Sequence, residues 1–337
     1  MIYPKFIKQG DTIGVPAPSS GAYDEPRKNR FINAKKKIEE LGYKVKLSKN
    51  INTSIKARSA SANERAEEIN KMFEDNSIDF ISCATGGEFL VEILPYVDFE
   101  KLVQNPKWIE GFSDPTGLLY SITTKYDIAT IYGINFGSYG AEKYERDVKD
   151  NLEIIKGNII LQQNFEMYED ERQEIITGLE GYNFTDKVEW KILNDNEINV
   201  QGRIIGGCID LISELAGTKY DGIKEFNERY KEDGVIWYFD NCELPMEELI
   251  RTLWKLNEFE YFKYAKAIIF GRNGSFFSSL EYTMEEALKD SVIYKLNIPI
   301  IYEADVSHKG PCLNIINGAI AKVESRNGKG KIEFELK

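Results

Sequence analysis

Trp108-Ile109-Glu110-Gly111-Phe112-Ser113-Asp114-Pro115-Thr116 reads as an apolar strand running into a sharp turn, with a serine at the tip and a helix beginning at about Gly117 to Tyr120. The same alternation continues on both sides. Upstream, Thr12-Ile13-Gly14-Val15-Pro16-Ala17 is a buried strand with a Pro/Ser/Gly loop after it. Arg27 to Leu41 has helical spacing and stops at Gly42, and Tyr43 to Leu47 is the next strand. Asn63 to Phe73 is a helix with Asn63 as its expected cap, and Phe80-Ile81-Ser82-Cys83-Ala84 is a strand ending at Gly86-Gly87. Downstream, Ile128-Ala129-Thr130-Ile131-Tyr132 is another. Strands separated by helical patterns predict βαβ units and a mainly parallel sheet.

Residues 141–200 are richer in Glu, Asp, Asn and Gln, with a helix expected near Val148 to Lys156 and a connecting region after it. From Gln201 the apolar runs return. Arg203 to Gly207 is a strand leading into a helix from Cys208 to Leu215, and Val235-Ile236-Trp237-Tyr238-Phe239 is a buried strand before a helix from about Pro245 to Leu256. Ala267 to Gly271 and Pro299 to Tyr302 are strands, and Ala319 to Leu336 reads as a hairpin with a Gly-rich turn. At ~150 residues per domain, the length predicts about two domains. The expected division is an N-terminal α/β domain over 1–165, a linker region over 166–198 and a C-terminal domain over 199–337.

The 337 residues hold 43 Lys plus Arg against 55 Asp plus Glu, a formal charge of −12. That balance argues against nucleic acid or an anionic membrane as partner, because a phosphate surface would meet net repulsion. The longest basic run, Lys35-Lys36-Lys37, is followed by Glu39 and Glu40 and reads as a solvated helix face. No window approaches the ~18 consecutive apolar residues of a membrane span. Met1 to Lys5 lacks the charged and apolar regions of a signal peptide, so a cytoplasmic protein is expected. The four cysteines are scattered without a C-x-x-C, and His308 is the sole histidine, which excludes chemistry that needs two. Cys83 and Cys242 lie near strand ends without an activating context and read as small core residues.

Four constellations sit at predicted C-terminal strand ends, where parallel sheets place their sites. Ser113 could expose a nucleophilic hydroxyl at its strand-to-helix turn, or Ser113-Asp114 could simply cap the helix; the usual G-x-S-x-G has Pro115 in place of its second glycine. Gly86-Gly87 could turn backbone amides toward a ligand, or form an ordinary βα turn. Asp240 could orient a histidine, or cap the helix that follows it. His308, in Ala304 to Pro311, could be a general base or a structural histidine. The chain order Ser113, Asp240, His308 is the nucleophile, acid, histidine order of α/β hydrolases.

Together these stretches resemble the LD-carboxypeptidase family of serine peptidases, which includes the microcin C self-immunity peptidases. The resemblance runs through Lys8 to Ile13 with Ala17-Pro18-Ser19-Ser20, Arg58-Ser59-Ala60-Ser61 with Glu64-Arg65-Ala66, Gly86-Gly87 with Leu94-Pro95, and Asn105-Pro106-Lys107 through Asp114. It continues through Gly206-Gly207 with Ala216-Gly217-Thr218, and Asp305 to Pro311. It implies an N-terminal parallel-sheet α/β domain of flavodoxin/amidotransferase type and a C-terminal mixed α+β domain, a homodimer, and no metal or cofactor. By position it implies Ser113 as nucleophile, His308 as general base, and the amides of Asp114 and the Gly86-Gly87 turn as oxyanion donors. The family's acid is usually Glu, whereas the aligned residue is Asp240, with Glu243 as the alternative.

The implied substrate is a small peptide, a muropeptide tetrapeptide that loses its terminal D-Ala in peptidoglycan recycling. The alternatives are a microcin-type peptidyl or aminoacyl nucleotide and, in a different class, non-catalytic muropeptide binding. An adenine needs an aromatic platform, for which Tyr168, Tyr182, Phe184 and Trp190 are available. Tyr132 to Gly137 is expected to line the site or a dimer interface.

Overall fold

The computed structural model describes residues 1–193, 195–274 and 278–337. They form two compact units, the first of Met1–Ile160, Arg172–Asn183 and Asn314–Asn317, the second of Leu161–Glu171, Phe184–Leu313 and Gly318–Lys337. The stretch 166–198, expected as a linker, is shared between them, with Arg172–Asn183 in the first unit and the remainder in the second.

The first unit opens with strands β1 (Thr12–Val15), β2 (Lys44–Leu47), β3 (Phe80–Ser82), β4 (Trp108–Gly111) and β5 (Thr130–Tyr132). They pair in parallel in the order β2-β1-β3-β4-β5. This is the flavodoxin-like order, whose strand direction of addition reverses between β1 and β3, so the loops leaving those two strands flank the crevice where such sheets bind ligands. β3, β4 and β5 are buried along their whole length, as sheets covered on both faces require.

The helix after β1, Glu25–Glu40, buries Phe31, Ala34 and Ile38 at helical spacing. It starts earlier than its apolar pattern predicts, because Asp24 caps it and Pro26 occupies its first turn. Ala62–Glu74 is capped by Ser61 rather than Asn63, with Glu64 closing a capping box.

The second unit begins with short strands β6 (Gln162–Gln163), β7 (Met167–Tyr168), β8 (Asp186–Lys187) and β9 (Lys191–Ile192). The main strands follow: β10 (Glu197–Cys208), β11 (Val235–Asp240), β12 (Ala265–Gly271) and β13 (Ile300–Ala304). The chain then supplies β14 (Ile315–Asn317) to the edge of the first sheet, antiparallel to β5. It closes with β15 (Ile320–Arg326) and β16 (Lys329–Glu335). The second sheet is mixed, in the order β6-β16-β15-β10-β11-β12-β13-β9, with a parallel centre from β10 to β13. β10 is longer than its apolar run because its polar first half, from Glu197, pairs antiparallel with β15. The β15–β16 hairpin turns at Asn327 and Gly328, both at positive φ (50° and 75°), as a tight two-residue turn demands.

β14 is held by a buried polar network as well as by its ladder. Glu110 of β4 is fully buried and accepts from Ser82 Oγ (2.7 Å), Tyr139 Oη (3.1 Å) and Asn151 Nδ2 (2.9 Å). Asn151 Nδ2 also donates to Asn314 Oδ1 (2.9 Å), and Asn314 Nδ2 to the Asp147 carbonyl (2.9 Å). Burial outweighs these bonds and pushes the Glu110 carboxyl up to about 7. Among the described residues no helix is long and apolar enough to cross a membrane.

Candidate active site

The turn after β4 is tight. A Cβ on Gly111 would lie 2.5 Å from Pro115 Cβ, so only glycine lets the strand end fold back against the helix entrance. Ser113 sits at φ 69°, in the left-handed region that costs an ordinary residue ~1–2 kcal/mol. Strain of this kind persists only where surrounding structure holds it, and here the supports can be named. Asn135 Oδ1 accepts from Phe112 N (3.0 Å) while its Nδ2 donates to Phe112 O (3.1 Å), gripping the peptide group on each side of Phe112. Ser113 N donates to Tyr132 Oη at 3.4 Å. Tyr132 to Gly137 therefore braces the serine turn. The cap position of the helix Thr116–Tyr126 is Pro115, which makes no side-chain cap.

Gly86 lies directly against the serine, since a Cβ there would meet Ser113 Cβ at 3.1 Å and Oγ at 3.3 Å. A Cβ on Gly87 would fall 2.2 Å from Ser19 Oγ. The loops after β1, β3 and β4 thus meet around Ser113. The Asp114 side chain is fully buried, and burial, working against bonds from Ser19 and Leu90, pushes its carboxyl up to about 6.

In the second unit, β11 ends at Asp240, fully buried. His308 follows β13, and its Nδ1 lies 2.9 Å from Asp240 Oδ1 and 2.8 Å from Oδ2. The His308 backbone N–H also donates to Asp240 Oδ1 (3.1 Å). Backbone and ring on one carboxylate fix the imidazole plane, and with Nδ1–H donating to Asp240 the nitrogen that would exchange a proton is Nε2. Glu243 is exposed, and what is held there is its amide, which donates to Asp210 Oδ1 (3.0 Å). Burial disfavours a charged His308, but the Asp240 carboxylate and its hydrogen bond outweigh that and raise the imidazole above its ordinary 6.5. Asp240 hydrogen-bonds His308, and the cap position of the helix Met246–Glu258 is Pro245.

The histidine loop stands on a buried ion pair that the sequence does not announce. Arg272 donates to Asp305 Oδ1 (2.6 Å) and to the Lys309 carbonyl (2.8 Å), straddling His308. Asp305 Oδ2 accepts from Trp190 Nε1 (2.8 Å) and Phe165 N (3.1 Å). Arg272→Met leaves a buried carboxylate without its cation, and we expect it to cost ~3–5 kcal/mol of unfolding free energy. The double change Arg272→Met/Asp305→Leu should recover only part of that, because it removes the unpaired charge but leaves the buried Trp190 Nε1–H and Phe165 N–H without their acceptor, and denaturant titration of the three proteins checks both. Asp210 is a second unannounced support, accepting from Cys242 N (3.1 Å) and Glu243 N.

Cys242 corrects a core assignment: it is half-buried and hydrogen-bonds His308, whereas Cys83 is buried as expected. Of the aromatics from 168 to 190, Trp190 is buried on Asp305 with its ring filling the space over Gly330, where a Cβ would meet it at 1.9 Å. Tyr182 donates to Asp147 Oδ2 (2.6 Å), and Tyr168 lies under the Arg272 guanidinium, 4.4 Å from ring centroid to carbon. Among the described residues no three His, Cys, Asp or Glu side chains are grouped to hold a metal ion.

Comparison with known proteins follows the same two-part division. The LD-carboxypeptidase N-terminal domain model matches residues 13–133, and the LD-carboxypeptidase C-terminal domain model matches 201–323. A Vibrio cholerae protein that carries a carboxypeptidase name is 28% identical over 339 residues, covering 99% of this chain and 98% of its own. The microcin C7 self-immunity protein MccF of Escherichia coli is 25% identical over 338 residues, covering 94% and 92%. The crystal structure of an MccF-like protein from Bacillus anthracis superposes with a TM-score of 0.83 at 27% identity, covering both chains completely. The chain belongs to the LD-carboxypeptidase family, with both of that family's domains in order and the same two-domain α/β fold.

Proposed function

We propose that this peptidase-family protein is a serine-type hydrolase of a small peptide, with Ser113, His308 and Asp240 as its triad. One observation carries the reading: a serine held at positive φ at a strand-to-helix turn, in a chain whose sole histidine is fixed by a buried carboxylate. Ser113 Oγ attacks the scissile carbonyl carbon, and His308 Nε2 takes its proton. The amides of Asp114 and of the Gly86-Gly87 turn hold the oxyanion. His308 returns the proton to the leaving amine, the C–N bond breaks, and water then hydrolyses the acyl-enzyme. On this reading the protein is a cytoplasmic homodimer that needs no metal or cofactor.

The substrate we propose is a muropeptide tetrapeptide, cleaved as an LD-carboxypeptidase to release its terminal D-Ala. The burial of Trp190 removes one of the four candidate nucleobase platforms, while the LD-carboxypeptidase domains of the chain support the peptide. The microcin C7 self-immunity relative favours the second reading, an aminoacyl nucleotide. The test is mass spectrometry of L-Ala-γ-D-Glu-diaminopimelate-D-Ala and of an aminoacyl sulfamoyl adenosine after incubation with the protein. Loss of one D-Ala is the expected result. An intact tetrapeptide beside a cleaved adenosine conjugate would transfer the assignment to the nucleotide. Neither cleaved, with no labelling by a fluorophosphonate and muropeptide still bound, would make the protein a non-catalytic binder.

A further inference from the structure

We propose that the Asp114 side chain is a positioning residue that clamps the oxyanion turn: its carboxylate joins the loop after β1 to the loop after β3 and so fixes Gly86-Gly87 against Ser113. The proposal rests on the serine-hydrolase reading above, and it concerns the side chain of a residue so far considered only for its amide.

The clamp is built from a single oxygen. Asp114 Oδ2 accepts from Ser19 Oγ, in the loop after β1, and from Leu90 N (2.9 Å), where the chain re-enters ordered turns after Gly86-Gly87. Ser19 in turn packs on Gly87, with no room for even a Cβ between them. Ser20 N donates to the Gly86 carbonyl (3.4 Å), a direct backbone tie between the same two loops. A second bridge is made by Arg65. Arg65 is fully buried and donates from one nitrogen to both the Pro18 carbonyl (2.9 Å) and the Phe89 carbonyl (3.1 Å). Glu92, paired to Arg65 (2.7 Å), anchors that arginine.

The two loops flank the β1/β3 reversal of strand order, where a ligand is expected. They carry glycines chosen for closeness, and glycine backbone is floppy unless something outside it sets its conformation. Arg65 ties the loops through the Pro18 and Phe89 carbonyls, whereas Asp114 ties them from the residue adjacent to the nucleophile. The Asp114 side chain therefore links the residue supplying one oxyanion amide directly to the loop supplying the others. Donors that stabilise a developing oxyanion work only when they are already in place. Removing the clamp should slow bond-making to Ser113 more than it weakens binding of the rest of the substrate.

Asp114 Oδ1 has no partner among the described residues, so asparagine can place its carbonyl oxygen where Oδ2 now stands and keep both bonds. The test measures kcat, KM and the fluorophosphonate labelling rate for wild type, Asp114→Ala, Asp114→Asn and Ser19→Ala, on whichever of the two substrates wild type cleaves. We expect kcat and the labelling rate to fall about 100-fold in Asp114→Ala with KM within about threefold, since a displacement of ~1 Å costs that much. Asp114→Asn should stay within about tenfold of wild type, and Ser19→Ala should fall about tenfold, having lost one of two bonds. Equal losses in Asp114→Ala and Asp114→Asn, or a rise in KM that accounts for the whole effect, would overturn the clamp. If Asp114→Ala does not fold, Ser19→Ala decides, and an unchanged kcat there overturns it. A wild type that neither turns over nor labels removes the hydrolase reading itself, and the clamp with it.

Discussion

Ser113→Ala should lower turnover at least ~10⁴-fold, because in a Ser-His-acid site the members act as a unit and removing the nucleophile forfeits nearly all their joint effect. The fold should not suffer. Alanine and serine pay the same left-handed backbone penalty at φ 69°, so the denaturation midpoint should stay close to that of wild type. Glycine pays none. Ser113→Gly should therefore be as inactive as Ser113→Ala yet more stable by ~1 kcal/mol, since residues held in strain for function trade stability for it. The measurement is kcat beside a urea midpoint for the three proteins. Undiminished turnover in Ser113→Ala would remove the serine from the chemistry, and a Ser113→Gly no more stable than Ser113→Ala would show that the turn is not strained.

Asp240→Asn should lower kcat about 10⁴-fold, the scale seen when an acid that fixes a catalytic histidine's tautomer becomes an amide. The stronger check is the pH profile. Wild-type His308 has its pKa raised by Asp240 against the opposing effect of burial, so it stays protonated to higher pH than a free imidazole and becomes a base only as the pH passes that raised value. The wild-type kcat/KM should accordingly rise with pH through this raised value, which that ratio reports for the free enzyme. Asparagine removes the negative charge and leaves burial, which favours the neutral ring. The residual activity of Asp240→Asn should then reach its plateau at lower pH than wild type. An acid limb that does not move would mean that another group titrates, and that the Asp240–His308 contact is structural.

β1, β3, β4 and β5 were legible because they are short apolar runs between helical stretches, a pattern that burial on both faces imposes directly, whereas the edge strand β14, supplied from the far end of the chain, was not. Helix starts were less so, since Asp24 and Ser61 act through a capping bond that apolar spacing does not register. The polar half of β10 was missed for a different reason. Glu197 to Gly202 forms strand because β15 is there to pair with it, and that partner lies more than a hundred residues away. The same holds around the candidate residues. Ser113, Asp240 and His308 each follow a recognisable strand, and their order along the chain suggests chemistry. Arg272, Asp210 and Asn135 are polar residues among many, and nothing local marks them as the ones that hold a loop. The Cys242 thiol beside His308 is likewise a product of the folded sheet, in which the segments after β11 and β13 meet across the end of β12. Residues that bear reactive groups leave a trace in one dimension, whereas those that hold them rigid become visible only once the chain has folded.

The order in which the chain is made adds a constraint of its own. β5 has β4 on one side and β14 on the other, and β14 begins at Ile315. During translation at ~5–20 residues per second, β5 can therefore wait roughly 10–30 s after residue 160 is made before its neighbour exists. Through that interval its outer edge offers unpaired backbone groups to any passing strand, and the Asn151–Glu110 network lacks Asn314. The nascent N-terminal portion thus carries an open sheet edge of the kind that invites aggregation, and expressing residues 1–160 by themselves would make that transient state permanent.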